Sequence, residues 1–144
     1  MPRIEVSTNI RDTASDVYST IKNMESFSNF MRDIKSLRII KKFPNKIISA
    51  WEIEIEGAPI KWKEEDIFDD KKLELNFNAL EGDYKTYRGR WKVIPMDKYT
   101  KVTIEADFDW GIPVLEKYVD KALQKRARLA LSGMLWAIKK KVEK

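Results

Sequence analysis

Glu64 and Asp66 are two acids two residues apart in the stretch Trp62-Lys63-Glu64-Glu65-Asp66. Residues two apart on an extended strand point to the same face, so this pair shares a face with Trp62. Two carboxyl groups held close in apolar surroundings do not both ionise easily. Such a pair can pass a proton as general acid and base, or hold the polar group of a bound molecule. Tyr87 is a candidate proton donor, and Arg126 a candidate cation to stabilise an enolate or face the acids. These residue types matter because the chain has no His and no Cys. Disulfides, thiol nucleophiles, Ser-His-Asp triads and zinc sites built on Cys or His are therefore excluded. Glu64, Glu65, Asp66, Asp69 and Asp70 crowd together, but strand alternation separates Glu65 from its neighbours and no EF-hand spacing is present. No metal and no cofactor is expected.

The elements that must position these groups follow from pattern. Ile4, Val6 and Thr8 alternate with Arg3, Glu5 and Ser7, which predicts a half-buried strand over residues 3–10. Thr13 followed by Asp16 reads as an N-cap with a first-turn acid, ahead of Ala14, Val17, Ile21 and Met24 at helical spacing. Ser26 opens a second short helix carrying Phe27, Phe30 and Met31. Strands are then predicted over 34–42, 46–56, 59–69, 72–80, 84–95 and 100–110, separated by turn residues such as Pro44-Asn45, Asp69-Asp70-Lys71 and Gly82-Asp83. Seven strands with short connections imply an antiparallel sheet. Gly111-Ile112-Pro113 ends the series, and Pro113 suits the first turn of a long helix reaching about Val142. Its apolar stripe is Leu115, Val119, Leu123, Ala127, Ala130, Met134 and Ile138.

A two-residue loop at Gly57-Ala58 would place Ile55 opposite Ile60, Ile53 opposite Trp62 and Trp51 opposite Glu64. Glu54 and Glu52 would then face Lys61 and Lys63 on the wet side. Glu64 and Asp66 fall on the face that carries Trp51, Ile53, Ile55, Ile60 and Trp62. The next hairpin adds Leu73, Leu75, Phe77 and Ala79, beside Phe68, Asp66, Glu64 and Trp62. Tyr87, Gly89, Trp91, Val93, Val102, Ile104, Ala106, Phe108 and Trp110 complete this inner face. Buried carboxylates need a donor, a cation or water. On the long helix, Arg126 and Gly133 lie on the apolar flank, and the small Ala127, Ala130 and Gly133 face large aromatics. Space between helix and sheet would reconcile these features, with the acids at its edge. A bulge after Lys63 would instead turn Glu64 outward.

The chain has 144 residues, 43% hydrophobic and 35% charged, which fits a single globular domain over 1–144. No apolar run approaches the ~18 residues of a membrane span. The opening MPRIEVSTNI lacks the hydrophobic stretch of a signal peptide, so a cytoplasmic location is expected. The net charge of +5 is uneven: residues 121–144 hold eight Lys or Arg and one acid. Lysines at the end of a helix suit its dipole. No helix-turn-helix, zinc finger, RNP or KH pattern accompanies them, which argues against nucleic acid. Peripheral contact with a membrane stays open, and no pattern specifies an oligomeric state.

The order strand, two short helices, six strands, long C-terminal helix, with Trp62-Lys-Glu-Glu-Asp66, Gly82-Asp83-Tyr84, Gly89-Arg90-Trp91 and Gly111-Ile112-Pro113, resembles the START-like (SRPBCC) superfamily. More narrowly, it resembles the polyketide cyclase/dehydrase and lipid-transport group that includes coenzyme Q-binding proteins. The resemblance implies an α+β helix-grip fold, a curved antiparallel sheet wrapped around the long helix over a hydrophobic cavity. It also implies a ligand such as a lipid, sterol, quinone, polyketide or plant hormone. Aromatase/cyclases of this type use a pocket arginine on the strand that follows a tryptophan. The position four residues after Trp62 is Asp66 instead, leaving Arg126 as the substitute.

Three functions follow as expectations. The first is binding of a small hydrophobic or amphipathic molecule by Trp51, Trp62, Phe77, Tyr87, Trp91, Phe108 and Ala130, oriented by Glu64, Asp66 and Arg126. The second is cyclisation and dehydration of a poly-keto chain, with Glu64 or Asp66 as acid/base, Tyr87 as donor and Arg126 as stabiliser. The third is an interaction module using the basic helix, in which side chains fill the space.

Overall fold

The alternation at the N-terminus forms strand β1 (Arg3–Ile10), with Ile4, Val6 and Ile10 buried and Arg3, Glu5 and Ser7 exposed. The computed structural model describes residues 3–31, 34–55, 58–83, 86–109 and 113–143; the side chains of Phe30, Ile55, Ala58, residues 113–124 and Arg126 lie outside that description. Helix α1 (Ala14–Lys22) starts where Thr13 Oγ1 accepts a hydrogen bond from the Asp16 amide at 3.1 Å, as its sequence predicts. A 3-10 turn (Met24–Ser26) leads into the short α2 (Phe27–Phe30). Phe27 is fully buried, its ring 6.4 Å from that of Trp51 and 6.1 Å from that of Trp91. This short helix thus plugs one part of the aromatic face.

Six further strands follow: β2 (Ile34–Lys42), β3 (Lys46–Ile55), β4 (Ala58–Asp69), β5 (Glu74–Gly82), β6 (Thr86–Pro95) and β7 (Thr100–Asp109). All pairings are antiparallel, in the order β1-β7-β6-β5-β4-β3-β2. The meander is the product of short turns, and β1 closes it by returning to the far edge beside β7. The last helix, α3 (Pro113–Val142), lies along the inner side of the curved sheet. Leu131, Leu135, Ile138 and Val142 are buried beneath it, with Ala127, Ala130 and Met134 half-buried. Two of its cations have structural work: Arg128 Nη1 and Lys139 Nζ donate to the β1 carbonyls of Glu5 and Asn9 at 2.9 and 2.6 Å. The basic tail therefore covers the free edge of β1 as well as facing water.

Two registers differ from the sequence reading. The β3–β4 ladder closes at Ile55↔Ala58, so the two-residue connection is 56–57, not Gly57-Ala58. Trp51 pairs with Trp62 and Ile53 with Ile60, with Glu52 opposite Lys61. The Trp51 and Trp62 rings stack at 5.4 Å with planes 11° apart, a cross-strand pair the other register would forfeit. On the wet side, Lys61 lies 3.8 Å from Glu52, while Glu54 and Lys63 face Lys35 and Glu81 at 3.4 and 3.0 Å. The error equals two residues, so every side chain keeps its expected face.

The second difference is at β5, which begins at Glu74 rather than at 72. The turn consumes Asp70–Leu73, with Leu73 in the left-handed region at φ 56°. Leu75, Phe77 and Ala79 consequently pair with Phe68, Asp66 and Glu64, each shifted by two from expectation. An irregularity does occur beside Lys63, but the extra residue is Leu80 on β5, between the pairs Lys63↔Glu81 and Glu64↔Ala79. Leu80 is turned out to solvent. Because β4 itself is unbroken, Glu64 stays inward.

Candidate functional site

Alternation along β4 puts Trp62, Glu64 and Asp66 on one face, and all three are buried; Glu64 is 3% exposed and Asp66 0%. Across from them on β3 lies Ser49, also 0% exposed and paired with Glu64 in the ladder. Ser49 was not among the expected site residues, although its parity with Trp51 identifies it as inward-facing. These three polar groups and the two indoles form one relay. Trp51 Nε1 donates to Ser49 Oγ at 2.9 Å, and Ser49 Oγ donates to Asp66 Oδ2 at 2.7 Å. From the other side, Trp62 Nε1 donates to Glu64 Oε1 at 2.7 Å.

Burial acts on both acids. Burial pushes the Glu64 carboxyl well above the usual carboxylate range; the neighbouring Asp66 adds to that by charge and hydrogen bond, against the Trp62 N–H. Burial also raises Asp66, but hydrogen bonds from Glu64 and Ser49 oppose it, with the charge of Glu65 acting upward. Both carboxyls are thus pushed toward the protonated form, with burial the largest cause for each. Asp66 Oδ1 is buried and meets no hydrogen-bond partner among the described residues. No Lys or Arg among the described side chains forms an ion pair with either acid. Ser49→Ala would strip a donor from Asp66 and an acceptor from Trp51. The expected loss is about 1–3 kcal/mol in a urea titration, the cost of stranding buried polar groups. A wild-type midpoint would show that the relay contributes nothing.

Glu64 borders a void between sheet and α3. Trp51, Trp62, Phe77, Tyr87, Trp91 and Phe108 wall it from the sheet, and Ala127, Ala130, Leu131 and Met134 from the helix. Met24 and Ile34 close a further side. Measured at the centre of a water-sized sphere, the void is about 60 Å³. At roughly 10–15 Å³ per water that is space for about four to six waters, or a compact one-ring molecule. Tyr87 meets Trp62 edge-on at 5.5 Å and Phe77 at 5.0 Å, so the wall is a continuous set of rings around the end where Glu64 sits.

Of the residues expected to meet a ligand, Trp51, Trp62, Glu64, Phe77, Tyr87, Trp91, Phe108 and Ala130 border this void. Asp66 does not; it lies behind Glu64, paired with Ile47 and Phe77, rather than at the edge. Gly133 is also displaced from expectation. It is exposed, with nothing within 4 Å of where its side chain would begin, because the buried stripe runs through Leu131 and Leu135 and leaves residue 133 on the outside. The side chain of Arg126 and all of Trp110 lie outside the described residues, as do the side chains of Leu115, Val119 and Leu123. Met24, Ile34 and Leu131 were not foreseen as walls, since each comes from a separate element and meets the void only through tertiary packing. Among the described residues no group of acids is arranged to hold a metal ion, and no helix is long and apolar enough to cross a membrane.

A seven-stranded antiparallel sheet curved over one long helix, enclosing an aromatic void, is the helix-grip architecture of START-like proteins. The chain belongs to the polyketide cyclase / dehydrase and lipid transport family, whose model matches residues 11–135. Among solved structures, it is similar to a Thermus thermophilus protein at TM-score 0.94 and 24% identity, covering 98% of this chain and 97% of that one. It is similar to the Zhui aromatase/cyclase of a Streptomyces species at TM-score 0.89 and 12% identity, covering 98% and 93%. A START superfamily protein of Mycobacterium smegmatis follows at TM-score 0.82 and 16% identity, covering 97% and 96%. At these identities the likeness is one of fold. No curated protein sequence matches the chain significantly.

Proposed function

We propose that this protein binds a small hydrophobic or amphipathic molecule, of lipid, quinone or polyketide type, in the void between the sheet and α3. The observation that supports this best is a space walled by six aromatic rings with one buried carboxyl at its border. A domain that needed only a core would gain by filling it, because empty apolar space forfeits contacts. The size sets a limit: a one-ring headgroup or quinone ring fits as the walls stand, and a longer chain requires α3 to move away from the sheet. Trp51, Trp62 and Trp91 all border the void, so occupancy changes their emission. Titration with a panel of quinones, short lipids and aromatic ketones is expected to give saturable quenching at about micromolar affinity or tighter. A panel without one saturable response rejects the reading.

A second reading is catalytic, and two buried neighbouring carboxyls, with Glu64 at the border of the void, favour it. A carboxyl held toward its protonated form by burial, beside a second carboxyl, suits dehydration or enolisation of a poly-keto chain. Glu64 would donate, Asp66 would take the proton back through Glu64, and Tyr87 and Arg126 would serve as donor and electrostatic stabiliser. A Glu64→Gln/Asp66→Asn double variant keeps shape and removes both titrating groups. Turnover of a poly-keto substrate is expected to vanish in it while ligand binding persists; retained turnover excludes the acids from catalysis.

A further inference from the structure

Helix α3 carries a second stripe. Leu131, Leu135, Ile138 and Val142 are buried toward the sheet. Leu129, Gly133, Trp136 and Lys140 repeat the same spacing two residues earlier in the chain. Two residues are about 200° of helical rotation, so this stripe runs along the side turned away from the sheet. Trp136 is 61% exposed and Leu129 54%, the two most exposed large apolar side chains among the described residues. Gly133 lies between them, with nothing within 4 Å of where a side chain would begin. Cations frame the stripe. Lys125, Arg128, Lys140 and Lys141 are exposed, and Lys140 Nζ lies 5.3 Å from the centre of the Trp136 ring. Residues 121–142 contain no Asp and no Glu. Arg128 and Lys139 hold the Glu5 and Asn9 carbonyls of β1, which keeps the stripe facing outward.

We infer that this outer face of α3 docks on an anionic lipid surface, with Trp136 and Leu129 entering the boundary between headgroups and acyl chains and the surrounding lysines and Arg128 meeting lipid phosphates. The charge pattern selects the occupant. A second copy of this chain, packed stripe to stripe, would bring the cations of both helices together in either orientation, with no acid in the segment to answer them. A nucleic acid would satisfy the cations but leave Leu129 against phosphate and sugar. A bilayer surface answers both halves of the pattern. Indole and leucine side chains gain at interfacial depth, and lysine stems lie along apolar surface while their heads reach the headgroups. Each cation near an anionic leaflet adds an attraction that salt weakens. None of Leu129, Gly133, Trp136 and Lys140 borders the void, so docking does not depend on what the void holds.

The test mixes the full chain at pH 7 with vesicles of phosphatidylcholine alone, or of equal parts phosphatidylcholine and phosphatidylglycerol, and reads binding by co-sedimentation. Affinity for the anionic vesicles is expected to exceed that for the zwitterionic ones by about tenfold or more, and to fall by about tenfold from low to high salt. Trp136→Ala and the double variant Lys125→Gln/Lys140→Gln change exposed side chains only, so their urea midpoints should match wild type. Each is expected to lose about tenfold in affinity for the anionic vesicles. Brominated acyl chains should quench wild-type emission, and Trp136→Phe should stay bound while losing most of that quenching. Equal binding to both vesicles, binding to neither, or binding that no variant weakens overturns the inference. Dimers that Trp136→Ala dissolves, without vesicle binding, assign the face to a second copy instead. Tighter binding to duplex DNA than to anionic vesicles, unmoved by Trp136→Ala, assigns it to nucleic acid instead. Ligand quenching of Trp51, Trp62 and Trp91 is a separate readout on the Trp136→Phe protein, so failure of the ligand site and failure of the docking face are told apart.

Discussion

Glu64→Gln is expected to make this protein more stable at neutral pH, and to flatten its dependence on pH. The sign follows from where the proton sits. Burial raises the Glu64 carboxyl well above its ordinary value of 4.5. Below that ordinary value the group is protonated in both folded and unfolded chains and contributes no pH dependence. Above it, the unfolded chain ionises while the folded chain holds the proton. Stability therefore falls as pH rises, by about 1.4 kcal/mol per pH unit, until the folded group itself titrates. Gln copies the protonated acid: its amide oxygen can accept from Trp62 Nε1 and its N–H can donate to Asp66. The variant keeps the relay without the ionisation penalty. Asp66 is also raised by burial, so a shallower slope of the same sign remains. Urea titrations from pH 4.5 to 9 should show wild type and variant close together at the acid end and diverging steadily above it. Parallel curves would mean that Glu64 is ionised in the folded protein, contrary to its buried, hydrogen-bonded setting.

Gly89→Ala is expected to cost about 3 kcal/mol or more, and to leave little folded protein at physiological temperature. Gly89 lies on β6 between Phe77 of β5 and Ala106 of β7. A Cβ there would fall 1.9 Å from the Glu105 carbonyl oxygen, 2.9 Å from Ala106 Cα and 2.8 Å from Phe77 Cζ. The first two are backbone atoms of a paired strand, which cannot retreat without opening the β6–β7 ladder. Overpacking against fixed atoms belongs to the costly class of substitution. Adding Phe77→Leu removes one of the three clashes, so the double variant should recover only a small part of the loss. The same glycine lets the Phe77 and Tyr87 rings approach to 5.0 Å at the wall of the void. A variant that does fold is expected to have lost ligand-induced quenching. A wild-type melting temperature would contradict the closeness of these strands.

How far the sequence reaches is seen on β3 and β4. Period-two alternation alone assigned Trp51, Trp62, Glu64 and Asp66 to one buried face, and that assignment survived two registers that were each wrong by two residues. A shift of two is invisible to alternation, because it returns every side chain to its own side. What fixed the register were contacts between strands: the stacked indoles of Trp51 and Trp62, and a turn that consumed Asp70–Leu73 with Leu73 at positive φ. Helix α3 shows the same division. Its length follows from residue spacing and from Pro113 at its start, as does the small-residue wall of Ala127 and Ala130. Its rotation about its own axis does not. Leu131 and Leu135 claimed the buried side through contact with the sheet, and Gly133 was left in water.

The sequence by itself determined the element order, the antiparallel meander and the identity of the two acids facing inward, since local periodicity and turn chemistry act over a few residues at a time. Only the tertiary structure decided that Ser49 joins those acids, that Asp66 lies behind Glu64, that burial pushes both carboxyls up, and how large the void is. Each of those depends on distances between strands and a helix far apart in the chain. A buried charge responds to the whole of its surroundings, not to its neighbours in sequence.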